Sequence, residues 1–109
     1  MSQKPVNQIS FEMAVTESID EVFTALGANV KQALYSYLEN RYNMREEQIP
    51  SMIEDFAHAV ESLFGVAAKL VELKIIERIQ EKVKEFNYKP KSKELFFAEY
   101  LSALQTYLN

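Results

Sequence analysis

The chain has 109 residues, of which 48% are hydrophobic and 26% charged, a balance typical of one compact globular domain. It contains no cysteine, which excludes a disulfide framework, a thiol nucleophile and a thiolate metal site, and we expect a cytoplasmic protein without a membrane span. The net charge of −4, with ten of the sixteen acids in residues 5–61, disfavours duplex nucleic acid as the main ligand.

The first predicted element is a short strand or extended arm within residues 1–17. From Ile9 to Val15 every second residue is apolar, which is the period of a half-buried strand. A single strand must pair with something to satisfy its backbone groups. The pattern therefore leaves open a second strand, the same segment of another subunit, or a piece of helix.

Two helices are predicted next. Ser18 and Glu21 match the capping-box pattern, and they open a short helix that Gly27 ends. A second helix follows from about Ala28 to Tyr42. Asn43 is placed to end this helix in a left-handed conformation.

A third helix is predicted after a connector that ends in Ile49 and Pro50. The proline favours an extended Ile49 and a helix start just beyond it, and Ser51 with Glu54 repeats the capping-box pattern. After the last apolar residue of this helix, a glycine predicts a sharp helical corner. The predicted structural residues of the domain are Gly27, Pro50 and Gly65.

The longest predicted helix runs from Val66 to Phe86. Its first half is apolar on nearly every side, and from Ile75 onward the apolar residues form a single stripe. This pattern predicts the central strut of the domain, surrounded by core at one end. Lys69 and Glu72 interrupt the apolar half, so we expect them to reach solvent or to pair. The helical core is thus placed at residues 18–86.

The last predicted elements are a lysine-rich connector over residues 87–92 and an amphipathic helix over residues 93–109, which Ser92 can cap. The apolar side of this helix covers nearly half of its circumference and needs a partner surface. We predict an interface with a second copy or another protein, formed by Phe96, Phe97, Tyr100, Leu104 and Tyr107. The sequence therefore predicts a mainly α-helical domain of four to five helices that forms a homodimer.

No catalytic, cofactor or metal site is predicted. The single histidine, His58, has Glu54, Asp55 and Glu61 within one turn, a spacing seen in carboxylate-bridged metal sites. It falls opposite the apolar stripe of its helix, so we expect it to face water without a partner. With two glycines in the chain, a phosphate-binding loop cannot be written, and no small-molecule substrate is indicated.

Two alternatives to a non-catalytic interaction module remain open. An enzyme that uses two carboxylates would show buried acids converging in a pocket, whereas the adjacent Glu46 and Glu47 are more typical of an exposed connector. A helical nucleic-acid binder would present a contiguous basic face. That face would be formed by Lys82, Lys84, Lys89, Lys91 and Lys93.

Several short segments carry a family resemblance. They are Leu26 to Tyr35, Tyr37 to Glu39, the Ile49-Pro50 connector, Phe56, and the corner Leu63 to Gly65 followed by Ala67 to Lys69. Over Leu26 to Glu77 the chain resembles the Nitrosopumilus output domain family, a group of small archaeal helical domains. The resemblance implies an archaeal cytoplasmic origin and a regulatory or output-type role, and it brings no catalytic residues. The segments outside it favour assembly or partner binding as the simpler function.

Overall fold

The computed structural model describes residues 9–90 and 96–109. Within these ranges the chain forms five α-helices and no strand: α1 (Phe11–Leu26), α2 (Ala28–Tyr42), α3 (Ile53–Phe64), α4 (Ala68–Lys82) and α5 (Phe97–Leu108). Two short 3-10 segments, Glu46–Ser51 and Gly65–Ala67, precede α3 and α4. The predicted fold class is confirmed. No helix of the described ranges is long and apolar enough to cross a bilayer.

The segment that we predicted as a strand forms the first turns of α1. Ser10 caps this helix, because its side chain accepts a hydrogen bond from the backbone N–H of Met13 at 3.1 Å. The buried residues then recur at helical spacing: Phe11, Ala14, Val15, Ser18, Ile19, Val22 and Phe23. Met13, which a strand would bury beside Phe11, is 52% exposed. Of the alternatives left open for this segment, the piece of helix is confirmed and the strand is wrong, since a short alternation also fits a helix whose later turns continue the pattern. The predicted helix start at Ser18 is wrong as well.

The other helices pack around α1. Its most extensive contacts are with α4 and α2, and it also touches α5 and the 3-10 segment before α3. Glu21 of α1 accepts a hydrogen bond from the Lys82 ammonium at 2.7 Å and lies 3.6 Å from the Arg78 guanidinium. The central position that we predicted for the segment from Val66 to Phe86 thus belongs to α1, and α4 ends earlier than predicted, at Lys82.

The ends of the first two helices follow local chemistry. Gly27 ends α1 as predicted, with a φ of 117°, and α2 starts directly after it. Asn43 ends α2 in the left-handed region as predicted, with φ 53° and ψ 41°. Gly65 also has a positive φ, 55°, and turns the chain from α3 toward α4, so the predicted corner is confirmed.

The connector before α3 differs from our prediction. Ile49 and Pro50 are not extended, because both lie within the 3-10 segment, where they are buried. The Ser51 hydroxyl donates to the carbonyl of Gln48 at 2.8 Å instead of capping α3. The proline still has a structural role, since a 3-10 turn tolerates its missing N–H and its ring fills the core beside Ile49.

We expect Ser18→Ala to stabilise the protein. The Ser18 hydroxyl is completely buried in α1 and has no hydrogen-bond partner within the described ranges. Removing an unsatisfied buried hydroxyl and gaining helix propensity should raise the free energy of unfolding by about 1 kcal/mol. Thermal and urea unfolding would measure this change.

The matched control for this prediction is Ser36→Ala, because Ser36 is exposed in the middle of α2. This substitution gains only helix propensity, so it should raise the free energy of unfolding by roughly half as much as Ser18→Ala does. A Ser18→Ala protein that melts below the wild type would show that the hydroxyl is satisfied in solution.

Candidate functional site

The predicted interface on the last helix is largely part of the core. Phe97, Tyr100 and Leu104 are 4%, 1% and 0% exposed in their own chain, so no partner can reach them without unfolding. Phe96 and Tyr107 are each 45% exposed. The interface is therefore wrong for the three buried residues and stays a prediction for the other two.

The wide aromatic side of α5 is covered from within the chain. Phe97 packs against Phe56 of α3 with ring centroids 6.1 Å apart. Tyr100 is met edge-on by two rings from the segment after α4, at 5.4 Å by Phe86 and at 5.8 Å by Tyr88. Burial raises the pKa of Tyr100 to about 12. Three parts of the same chain thus supply the surface that we assigned to a second subunit: α3, the end of the predicted long helix at Phe86, and the predicted connector at Tyr88.

His58 is exposed on α3 as predicted, but it has a partner. The Tyr42 hydroxyl at the end of α2 lies 3.0 Å from its Nδ1 atom, and the two rings meet edge-on. The expectation of an isolated imidazole is therefore wrong, and the pair links α2 to α3. Among the described residues, no group of three or more histidines and carboxylates is arranged to hold a metal ion.

The lysine-rich stretch does not act as one basic face over its described part. Lys82 is committed to its ion pair with Glu21 and has a side chain only 16% exposed. Lys84 and Lys89 are exposed. Lys91 and Lys93 lie outside the described residues.

A polar network also joins α1 to α2. Tyr35 donates to the Asp20 carboxylate at 3.1 Å, and Lys31 forms an ion pair with the same carboxylate at 2.9 Å. Burial, with added repulsion from Glu46 and Asp20, raises the pKa of Tyr35 well above its ordinary value. The three side chains, Tyr35, Asp20 and Lys31, are hydrogen-bonded or ion-paired to one another. We therefore interpret the network as a structural contact between the two helices.

The surface of α4 differs most from our prediction. Val66 is 105% exposed, Leu70 58% and Leu73 38%, although this half of the helix was predicted to be surrounded by core. The helix instead buries one side only, along Ala68, Val71, Glu72, Ile75, Ile76 and Ile79. We use the name apolar patch for the exposed apolar residues of α4, of the corner before it and of the start of α5: Leu63, Val66, Leu70, Leu73 and Phe96.

A cleft opens beside the apolar patch, between α3, α4 and the start of α5. Its volume is about 350 Å³, and its lining includes Glu61 of α3, Glu72 and Lys69 of α4, and Phe96. The Lys69 ammonium lies over the Phe96 ring, 5.4 Å from its centroid. We call this space the acidic cleft.

Glu72 is the unusual group of the acidic cleft. It is 8% exposed, and its pKa is raised above the ordinary value by burial first and by Glu61 second, against a lowering effect of Lys69. Sequence reasoning placed Glu72 at the surface or in a pair. The only available signal was a carboxylate on an otherwise apolar helix face.

A larger groove, of about 600 Å³, lies between Phe11, the start of α3 and α5. The carboxylates at its rim, Glu54 and Asp55, are exposed. Because its lining holds no buried ionisable group, it lacks the feature that distinguishes the acidic cleft. The two sites of interest are therefore the apolar patch and the acidic cleft.

Comparisons of the chain with protein-family models, with curated proteins and with solved structures give no match. The resemblance to the Nitrosopumilus output domain family accordingly stays a prediction.

Proposed function

We propose that this protein is a cytoplasmic, non-catalytic regulatory or interaction module that acts as a homodimer through the apolar patch. The observation that supports the proposal is the exposure of two apolar side chains: Val66, in the 3-10 segment before α4, is 105% exposed, and Leu70, on the side of α4 that faces away from the core, is 58% exposed. Isolated exposed apolar side chains are ordinary on protein surfaces. Several of them around one helical corner are typical of an interaction site.

The size of the apolar patch fits a small dimer. The exposed parts of its five side chains amount to roughly 500 Å² per copy, so pairing two patches would remove about 1,000 Å² from water. Specific interfaces begin at about this size. A second copy therefore offers enough apolar area to cover the patch. A homodimer formed through one patch is two-fold symmetric, so the same surface serves both subunits.

The test is the mass of the protein in solution, by light scattering over a micromolar concentration range. We expect a dimer of the 12.6 kDa chain, and we expect Leu70→Glu to give a folded monomer. The Leu70 side chain is already more than half exposed, and glutamate forms helix as well as leucine does, so the fold should keep its melting temperature. A charge at the centre of the dimer would lack a partner.

Val30→Glu is the matched control, because Val30 is an apolar residue of α2 with 42% exposure, away from the patch. This variant should remain dimeric. A wild-type protein that is monomeric over the whole range, or two variants that behave alike, would contradict the proposal.

A carboxylate-based enzyme is the second candidate, and one observation favours it. Glu72 is buried beside Glu61, and burial first and the Glu61 charge second raise the pKa of Glu72 above its ordinary value; enzymes that use two carboxylates as acid and base contain such pairs. In such an enzyme Glu72 would be the acid and Glu61 the base. Both groups would act only on a molecule that first enters the acidic cleft.

A further inference from the structure

We draw no further inference here: the strongest candidate, the groove of about 600 Å³ between Phe11, the start of α3 and α5, has the N-terminus of a helix and two exposed carboxylates at its rim, but nothing in the described ranges of the chain shows what covers it.

Discussion

Leu104→Asp should leave the protein unfolded at room temperature. Leu104 is 0% exposed in α5, and the substitution removes a buried leucine and places a carboxylate among apolar side chains. Loss of the buried leucine alone lowers the free energy of unfolding by about 2–5 kcal/mol, and the unpaired buried charge lowers it by several kcal/mol more. A domain of this size has about 5–15 kcal/mol of stability in total. Far-UV circular dichroism and the loss of a cooperative thermal transition would report the result.

Two control variants on the same helix make this outcome specific. Leu104→Met keeps an apolar side chain of similar volume and should cost less than about 1.5 kcal/mol. Ser102→Asp introduces the same charge at an exposed position of α5 and should melt close to the wild type. A folded, monomeric Leu104→Asp protein would restore the interface that the sequence suggested and contradict the core position.

Gly65→Val should be the most damaging substitution at an exposed position. Gly65 has φ 55° and ψ −124°, a region that residues with a side chain rarely occupy and β-branched residues avoid. A Cβ atom built on Gly65 meets nothing within 4 Å, so the cost is backbone strain and not a clash. We expect the free energy of unfolding to fall by about 2–3 kcal/mol for valine and by about 1–2 kcal/mol for alanine. Urea unfolding would measure both.

The mirror-image residue isolates the backbone effect at the same position. D-alanine, introduced by chemical ligation, favours positive φ, so it should melt at or above the temperature of the wild type. Ala67→Val is the control for the valine side chain, because Ala67 is exposed in the same corner with a φ of −86°. It should cost only the propensity difference, well below 1 kcal/mol. Equal melting of the Gly65→Ala and D-alanine proteins would show that the corner is not strained.

The features that were predicted well depend on single residues and their neighbours in sequence. Gly27 and Asn43 end their helices because glycine and asparagine accept positive φ, and this holds in any tertiary context. The limits of α2 follow from these two residues. The corner at Gly65 has the same origin, which is why it could be located before any packing was known.

The features that were missed depend on what surrounds a segment. Met13 fits a strand alternation, and only the position of α1 against α4 and α2 decides that Met13 faces water. Leu70 and Ile75 are equally apolar in the sequence, yet the first is 58% exposed and the second 0%. The periodicity of the sequence shows where the apolar residues lie around a helix. It does not show which of two apolar sides the rest of the chain covers.

The acidic cleft shows the same limit for chemistry. Glu61 and Glu72 belong to different helices, and their meeting depends on the turn at Gly65 and on the start of α5. A glutamate among apolar residues was visible, but its burial was not. The lack of a catalytic motif in the sequence therefore did not exclude a buried carboxylate.

The position of α1 also has a consequence during synthesis on the ribosome. Its main partner, α4, is translated much later, and the ion pair between Glu21 and Lys82 spans 61 residues of chain. At the usual speed of translation, about 5–20 residues per second, the apolar side of α1 waits on the order of seconds before α4 exists. Nascent chains arrested before Lys82 should therefore expose Phe11, Ile19 and Phe23 to chaperones, and chains that include α4 should begin to hide them.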